Sequence, residues 1–402
     1  MISIKQVFYV SGLCLLLILL YRTFIVFSPD KDLFEKCSTS HDHSLSLNNE
    51  RLNALQTILK YKTVSINIRN QNYDALQQCR SYIKQRYSNI LENKFVEIND
   101  IATYSILYTI KGTETRLKPY LLSAHIDVVP ANIDKTNGEQ WKHAPFDAVI
   151  DGEFIYGRGT LDDKTTVFGV MEAVQEYIRI NGQPRRTFYV ALTHDEEIGT
   201  DGANGIANYL SKVNFGNGDF AYVLDEGAVI VSNSVPTVQF PIGIIAIGEK
   251  GYLDVEYRVD TAGGHSSMPS APTSIGILSN AMAKLEAHLY QSQFGRGPGL
   301  NLLNGITPYT SWYIRFVLAN LWLFGSLVEK VFSKKPALNA LQRTTIAVTL
   351  ISGGVKENTL PPSAQSNVNH RIHPADSCQK IFEQNKRIIN DERVKGKIKS
   401  CV

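Results

Sequence analysis

The chain has 402 residues, 44% of them apolar, and a formal net charge of +3 at pH 7, enough for a large core and more than one domain. Its basic residues form no long run, so a nucleic acid has no electrostatic footprint here and is not expected as a partner. Five cysteines, Cys14, Cys37, Cys79, Cys378 and Cys401, show no C-x-x-C spacing, and this indicates neither a disulfide framework nor a cysteine zinc site.

At the N-terminus Lys5 precedes an apolar run from Val7 to Tyr21, and after Arg22 the chain is apolar again from Thr23 to Phe27. A bilayer core needs about 20 apolar residues, a signal-peptide core about 7 to 15. The run meets the first requirement if Arg22 snorkels to the interface, and no small-x-small cleavage site follows it. Residues 1–28 are therefore expected to form a signal-anchor rather than a cleaved signal peptide, followed by a polar stalk over 29–49. Either form gives a body that is secreted, or membrane-anchored and lumenal or extracellular, although the sequence holds no N-x-S/T sequon.

Two helical patterns come next, Glu50 to Tyr61 and Tyr73 to Leu91. Strands are expected at Tyr104 to Ile110 and Pro119 to Ala124, rich in β-branched and aromatic residues. Lys164 to Ile180 reads as a helix with Val167, Val170, Met171, Val174 and Ile178 on one face. A strand at Thr187 to Thr193, a helix at Ala203 to Lys212 and a strand at Phe220 to Leu224 complete the series. Strands alternating with helices predict an α/β catalytic domain, 50–247, with a mostly parallel sheet flanked by helices.

The pattern changes near Gly248. Tyr252 to Val259 alternates as an antiparallel strand does, with Leu253, Val255 and Tyr257 on one side. A helix over Pro272 to Leu289, a Gly/Pro-rich loop, strands at Thr344 to Ile351 and Ala364 to Ile372, and a helix at Asp376 to Ile389 make an inserted α+β module, 248–392. Residues 393–402 would begin a return to the first domain. Ile314 to Phe332 is strongly apolar, but Arg315 and Glu329 bracket too short an uncharged stretch for a membrane span. A packed core helix is expected there, with an acyl-chain groove or a membrane contact as the alternative.

Four polar clusters fall just past strand ends, where α/β proteins place their sites. Ser123-Ala124-His125-Ile126-Asp127 sets an imidazole and a carboxylate two residues apart, on one side of an extended backbone. Gly157-Arg158-Gly159-Thr160-Leu161-Asp162-Asp163 puts paired acids at a helix start, where adjacent carboxylates repel unless a cation compensates. His194-Asp195-Glu196-Glu197 and Leu224-Asp225-Glu226 follow strands directly. A solvated acidic turn explains any one of these, but not all four in succession. Oxygen and nitrogen ligands without thiolates suit zinc, manganese or cobalt. Many carboxylates and few histidines suggest two ions sharing a carboxylate and a water, with one of the adjacent glutamates binding metal and the other taking the water's proton.

These motifs resemble those of the zinc aminoacylase and carboxypeptidase S family of metallopeptidases, most of all its secreted branch that makes and hydrolyses N-fatty-acyl amino acids. The resemblance runs from about Leu52 to Val394. It implies two zinc ions per subunit, with His125 on one, Asp162 bridging both, Glu197 on the other, and Asp225 as a further ligand on the first. Glu226 is the alternative to Asp225. It implies Asp127 as the supporting carboxylate and Glu196 as the general base. In the second module Gly263-Gly264-His265-Ser266-Ser267-Met268-Pro269 resembles a lid loop whose histidine reaches a neighbouring site across a homodimer. Asn358 and Arg371 resemble the lid residues that hold a substrate carboxylate, a task that suits the arginine fork. His370 and His373 read as structural.

The implied activity is hydrolysis of an amide bond next to a free carboxylate, reversible towards condensation of a fatty acid with an amino acid. A carboxypeptidase or dipeptidase on the same scaffold, and a dimerising protein without catalysis, are the other readings. The resemblance also implies a continuation past Val402 that carries a glycine-rich loop and the last zinc-binding histidine. His143 and His194 are the histidines left to replace it, without a motif to recommend either.

Overall fold

A computed structural model describes residues 3–30, 48–131, 141–199, 201–213, 219–227, 230–235, 237–269 and 272–402. Cys37 and most of the stalk, 29–49, lie outside the described residues. The chain divides into two compact units, Ser40–Gly227 and Met1–Thr39 with Ala228–Val402. The first helix, α1 (Ile4–Tyr21), continues as a π-turn over Arg22–Val26 and belongs to the second unit.

The unit Ser40–Gly227 opens with α2 (Asn49–Lys60) and α3 (Tyr73–Arg86), each capped by an asparagine whose side chain accepts from a backbone N–H three residues on, as N-caps do. Its sheet contains β1 (Val96–Ile101), β2 (Ser105–Ile110), β3 (Tyr120–His125), β4 (Phe188–Thr193) and β5 (Tyr222–Leu224), in the order β1-β2-β4-β3-β5. The expected α/β layer is present, and its sheet is mixed: β3 runs parallel to β4 and β5, whereas β1-β2 and β2-β4 are antiparallel.

Side-chain alternation explains why both faces are covered. Ile106, Tyr108 and Ile110 of β2 and Phe188, Val190 and Leu192 of β4 pack with Ile58, Leu76, Ile83 and with Val167 and Met171 of α4 (Lys164–Asn181). The intervening Leu107, Tyr189 and Ala191 pack on the other face with Ile206 and Leu210 of α5 (Asp201–Lys212). A buried acid, Glu172 of α4, is held by Arg51 at 2.9 Å, Arg86 at 3.1 Å and the Tyr87 hydroxyl at 3.0 Å, which ties α2, α3 and α4 together. At the sheet edge, Tyr222, Val223 and Leu224 are exposed.

The second unit centres on an antiparallel sheet of β6 (Gly251–Asp260), β8 (Thr345–Gly353), β10 (Ser363–Ile372) and β11 (Val394–Cys401), in the order β8-β10-β6-β11. A two-stranded ribbon pairs β7 (Gly264–His265) with β9 (Thr359–Leu360). Leu253, Val255, Tyr257 and Val259 are buried on one face of β6, against α6 (Ser274–Glu286) and the helix Cys378–Ile389. Two sequence expectations are corrected here: residues 393–402 do not begin a return to the first domain but form β11 beside β6, because their alternating side chains complete this sheet's edge, and the cysteines are not all unpaired. Cys378 and Cys401 form a disulfide with a Cα–Cα distance of 6.2 Å, because the pairing of β11 with β6 carries Cys401 to the start of the helix that Cys378 begins. Of the other described cysteines, Cys14 is exposed and Cys79 is buried, both free.

The apolar stretch Ile314–Phe332 is not a packed core helix. After α7 (Pro298–Ile306) the chain forms α8 (Trp312–Leu318), breaks at Ala319-Asn320, and turns into α9 (Leu321–Phe332). Val328 is the only buried residue of α9, while Trp312, Tyr313, Trp322, Leu323, Leu327 and Val331 are exposed.

Candidate metal centre

Because β3, β4 and β5 are parallel, their C-terminal ends share one edge of the sheet. His125 ends β3, His194 to Glu197 follow β4, and Asp225-Glu226 follow β5, while Asp162 and Asp163 precede α4. Within Ser40–Gly227 the four clusters that are remote in sequence therefore meet.

His125 is at the centre, 1% exposed. Its Nε2 lies 2.9 Å from Asp162 Oδ1, 3.4 Å from Glu226 Oε2 and 3.9 Å from Glu196 Oε2. Its Nδ1 faces the Asp127 carbonyl oxygen at 3.0 Å and Asp127 Oδ1 at 3.3 Å, an arrangement that fixes the ring and frees Nε2 for a ligand. Asp127 is fully buried and also accepts from the backbone N–H groups of Glu196 at 3.1 Å and Glu197 at 3.3 Å. One carboxylate thus orients the imidazole and holds the acidic turn after β4.

The paired acids before α4 divide their tasks. Asp163 is buried and accepts from the His125 backbone N–H at 3.2 Å, whereas Asp162 is open to solvent and turned to the imidazole; the peptide between them is cis. Beneath the site Lys164 is fully buried, with Nζ donating to the Tyr61 carbonyl at 2.6 Å, and burial lowers its pKa to about 8. Gly159 adopts a φ of +90°, and a Cβ there would come within 3.0 Å of Lys164 Cδ and 3.1 Å of Val128 Cγ1. That loop requires glycine.

The electrostatics are those of acids crowded without a compensating cation. Burial raises Glu226 to about 7; the positive charge of His125 opposes this, and Asp162, Glu196 and Asp163 add to it. Burial raises Glu196 and Glu197 as well, with Asp127 and Asp162 adding to both. For His125 burial opposes the charged form, but the hydrogen bond and charge of Asp127, then Asp163 and Glu226, lift it to about 10. One ligand atom each from His125, Asp162 and Glu226 lies within 4.8 Å of the others. An imidazole nitrogen with two carboxylate oxygens, held close against their mutual repulsion, fits a divalent cation.

Glu226, not Asp225, joins this group. Asp225 instead accepts from the Glu226 N–H at 3.0 Å and lines a cavity with Leu121, Ser123 and Phe220. Glu197 stands outside the three-residue group, and Asp162 is the charge that acts on it most strongly, adding to the effect of burial. His194 is buried, Nδ1 2.7 Å from Ser105 Oγ, and His143 Nε2 lies 3.0 Å from Asp151. Neither histidine is in the group. The sequence reading gave no role to Asp163 and Lys164; the Asp162-Asp163 pair was a visible signal, and the burial of Lys164 was not.

The lid residues belong to the second unit. His265 is exposed on β7, with Nδ1 2.8 Å from Ser267 Oγ, and the Asn358 carbonyl accepts from the Ser266 N–H at 3.1 Å. Arg371 is exposed near the far end of β10, its guanidinium 5.1 Å from the Tyr252 ring centroid and 4.0 Å from Glu249. From Ser363 to Arg371 the strand covers roughly 26 Å at about 3.3 Å per residue. The expectation that Asn358 and Arg371 hold one carboxylate is therefore not met within a single lid. His370, bonded to Asn385 at 2.9 Å and lowered to about 4 by burial, is structural. The same unit holds a cavity of about 670 Å³ lined by Phe240, Ile242, Leu302, Ile306, Tyr309 and Leu341, with Lys250 at its wall.

The pattern of "Peptidase family M20/M25/M40" matches residues 121–316, and that of "Peptidase dimerisation domain" matches 247–397. The N-fatty-acyl-amino acid synthase/hydrolase PM20D1 of Xenopus tropicalis is 33% identical over 392 residues, covering 98% of this chain and 75% of that protein. Carboxypeptidase S of Saccharomyces cerevisiae is 31% identical over 386 residues, covering 89% of this chain and 65% of that one. Among solved structures, an M20 family metallo-carboxypeptidase, Sso-CP2 of Sulfolobus solfataricus, shares the fold with a TM-score of 0.60 at 22% identity, covering 87% of this chain and 77% of that chain.

Proposed function

The chain belongs to peptidase family M20/M25/M40, a metal-dependent amide hydrolase by that membership, and from that premise we propose that it cleaves N-acyl amino acids at the amide next to their free carboxylate. The single observation that carries the reading is the convergence of His125, Asp162 and Glu226 on one point at the ends of parallel strands. Two zinc ions per subunit are proposed: His125, Asp162 and Glu226 would hold the first, and Asp162 and Glu197 are the residues that would hold the second. Asp225 is kept as the alternative to Glu226. When bound, such ions polarise a carbonyl and make a water more acidic.

The chain's own residues supply the proton path and the grip on substrate. Asp127 holds the His125 ring and the turn that carries Glu196, so the Glu196 carboxylate keeps its position. Burial raises Glu196, which suits a base that works near neutrality. It takes a proton from the attacking water and returns it to the leaving amine, giving a carboxylic acid and an amino acid. His265 of the partner subunit, with Asn358 beside it, steadies the developing oxyanion in a homodimer, and Arg371 takes the free carboxylate. The disulfide suits an oxidising compartment, and with the apolar α1 it supports a body that is secreted or anchored on the lumenal or extracellular side.

The test is Glu196→Gln in the full chain, assayed for release of fatty acid from an N-fatty-acyl amino acid, with metal counted in the same sample. Turnover should fall by about 10²–10⁴-fold while metal content stays that of the unsubstituted protein. Loss of metal together with activity would remove Glu196 from the role of base. Cleavage of dipeptides but not acyl amino acids by the unsubstituted protein would replace the substrate.

A further inference from the structure

The helical hairpin of α8 and α9 turns apolar side chains outward, and among the described residues nothing covers them. Trp312 is 64% exposed, Trp322 56% and Leu327 58%. Leu323, Leu327 and Val331 recur every four residues and so share a face of α9. An unaided soluble domain does not present such a surface without a use for it.

The hairpin is not free of the N-terminal helix. Asn320, fully buried at the break between α8 and α9, donates from Nδ2 to the Leu19 carbonyl at 3.3 Å and the Thr23 hydroxyl at 3.4 Å, and accepts from Trp322 Nε1 at 3.3 Å. Arg22 Nε donates to the Ala319 carbonyl at 2.8 Å. Polar bonds therefore fasten the C-terminal end of α1 to the hairpin turn. The rest of α1 is exposed and apolar: Ile4–Val26 is 23 residues with a mean hydropathy of 2.0, about 35 Å at 1.5 Å per residue, against a bilayer core of about 30 Å.

We propose that the α8–α9 hairpin is a bilayer-docking surface, seated at headgroup level by its attachment to the end of α1. The chemistry agrees with that depth. Trp312, Tyr313 and Trp322 are amphipathic aromatics of the kind that favour membrane interfaces. Lys330, Lys334 and Lys335 are exposed at and beyond the end of α9, where they meet anionic headgroups. A second copy of the chain would cover the apolar face as well, but it would not explain why the face is joined to a helix long enough to cross a membrane. The proposal does not depend on the proposed reaction.

The chain contains three tryptophans, and Trp141 lies in the other unit, which gives a direct test. The full chain is reconstituted with phosphatidylcholine–phosphatidylserine vesicles, with or without brominated acyl chains, and separated by flotation. In Trp141→Phe protein, emission from Trp312 and Trp322 should be largely quenched by the brominated lipid. In the Trp312→Phe, Trp322→Phe double variant, Trp141 should keep its emission. Vesicle-bound protein whose hairpin tryptophans are unquenched overturns the proposal, as does failure to float. Cross-linking of two chains through the hairpin, with quenching absent, assigns the face to a second copy and overturns it too.

Discussion

Asp225 and Glu226 are adjacent carboxylates after one strand, and only Glu226 faces His125. Glu226→Gln should weaken divalent-cation binding by about 100-fold or more, since loss of a partner beyond the ligands already costs 10–100-fold. Asp225→Asn should leave it nearly unchanged. Calorimetric titration of both with zinc or manganese decides the matter, and the reverse ranking would move the ligand to Asp225. The same titration has a predictable pH dependence. His125 is lifted to about 10 and Glu226 to about 7, so His125 holds a proton throughout this range and Glu226 holds one mainly below pH 7, and a cation must displace them. Affinity should rise with pH from 6 to 8, by about tenfold per pH unit for each proton released. A flat profile would mean that these groups are not the ligands.

At the scale of elements, the second unit is cross-linked by a bond that no periodicity announces. Cys378 opens a helix and Cys401 lies in the last strand, 23 residues apart in sequence. Closing a loop of that length removes unfolded-state entropy worth ~3 kcal/mol in the chain-entropy account. Cys378→Ser should therefore lower the melting temperature of the second unit by on the order of 6–12 °C, measured by calorimetry. A reductant should bring the unsubstituted protein down to the same temperature and leave the variant alone. Equal stability of the two under oxidising conditions would show the bond to be absent in solution. Helix limits were legible to within a few residues where the apolar period is strong, as in α4, predicted over Lys164 to Ile180 and found at Lys164–Asn181. The Ile314–Phe332 stretch misled because its composition suits a core, a membrane or a groove equally. Asn320, which breaks it, is a polar residue that becomes buried only against α1.

At the scale of the whole molecule, the strand order is not the chain order. β3 and β4 are far apart in sequence yet adjacent and parallel, and that crossover brings His125 to the turn after β4. The alternation of strands with helices, the acids and imidazole at successive strand ends, and the change to an antiparallel pattern after Gly248 were fixed by local rules. Side-chain period and backbone reach are properties of consecutive residues, so the amino-acid sequence alone determined them. The tertiary structure decided which of two neighbouring acids turns to the imidazole, and which cysteines meet. It also decided that the length of β10 separates Arg371 from the turn that holds Asn358, and that among the described residues an apolar hairpin stays uncovered. Each of these depends on direction and on a partner brought from elsewhere in the chain, and no local pattern encodes a direction through space.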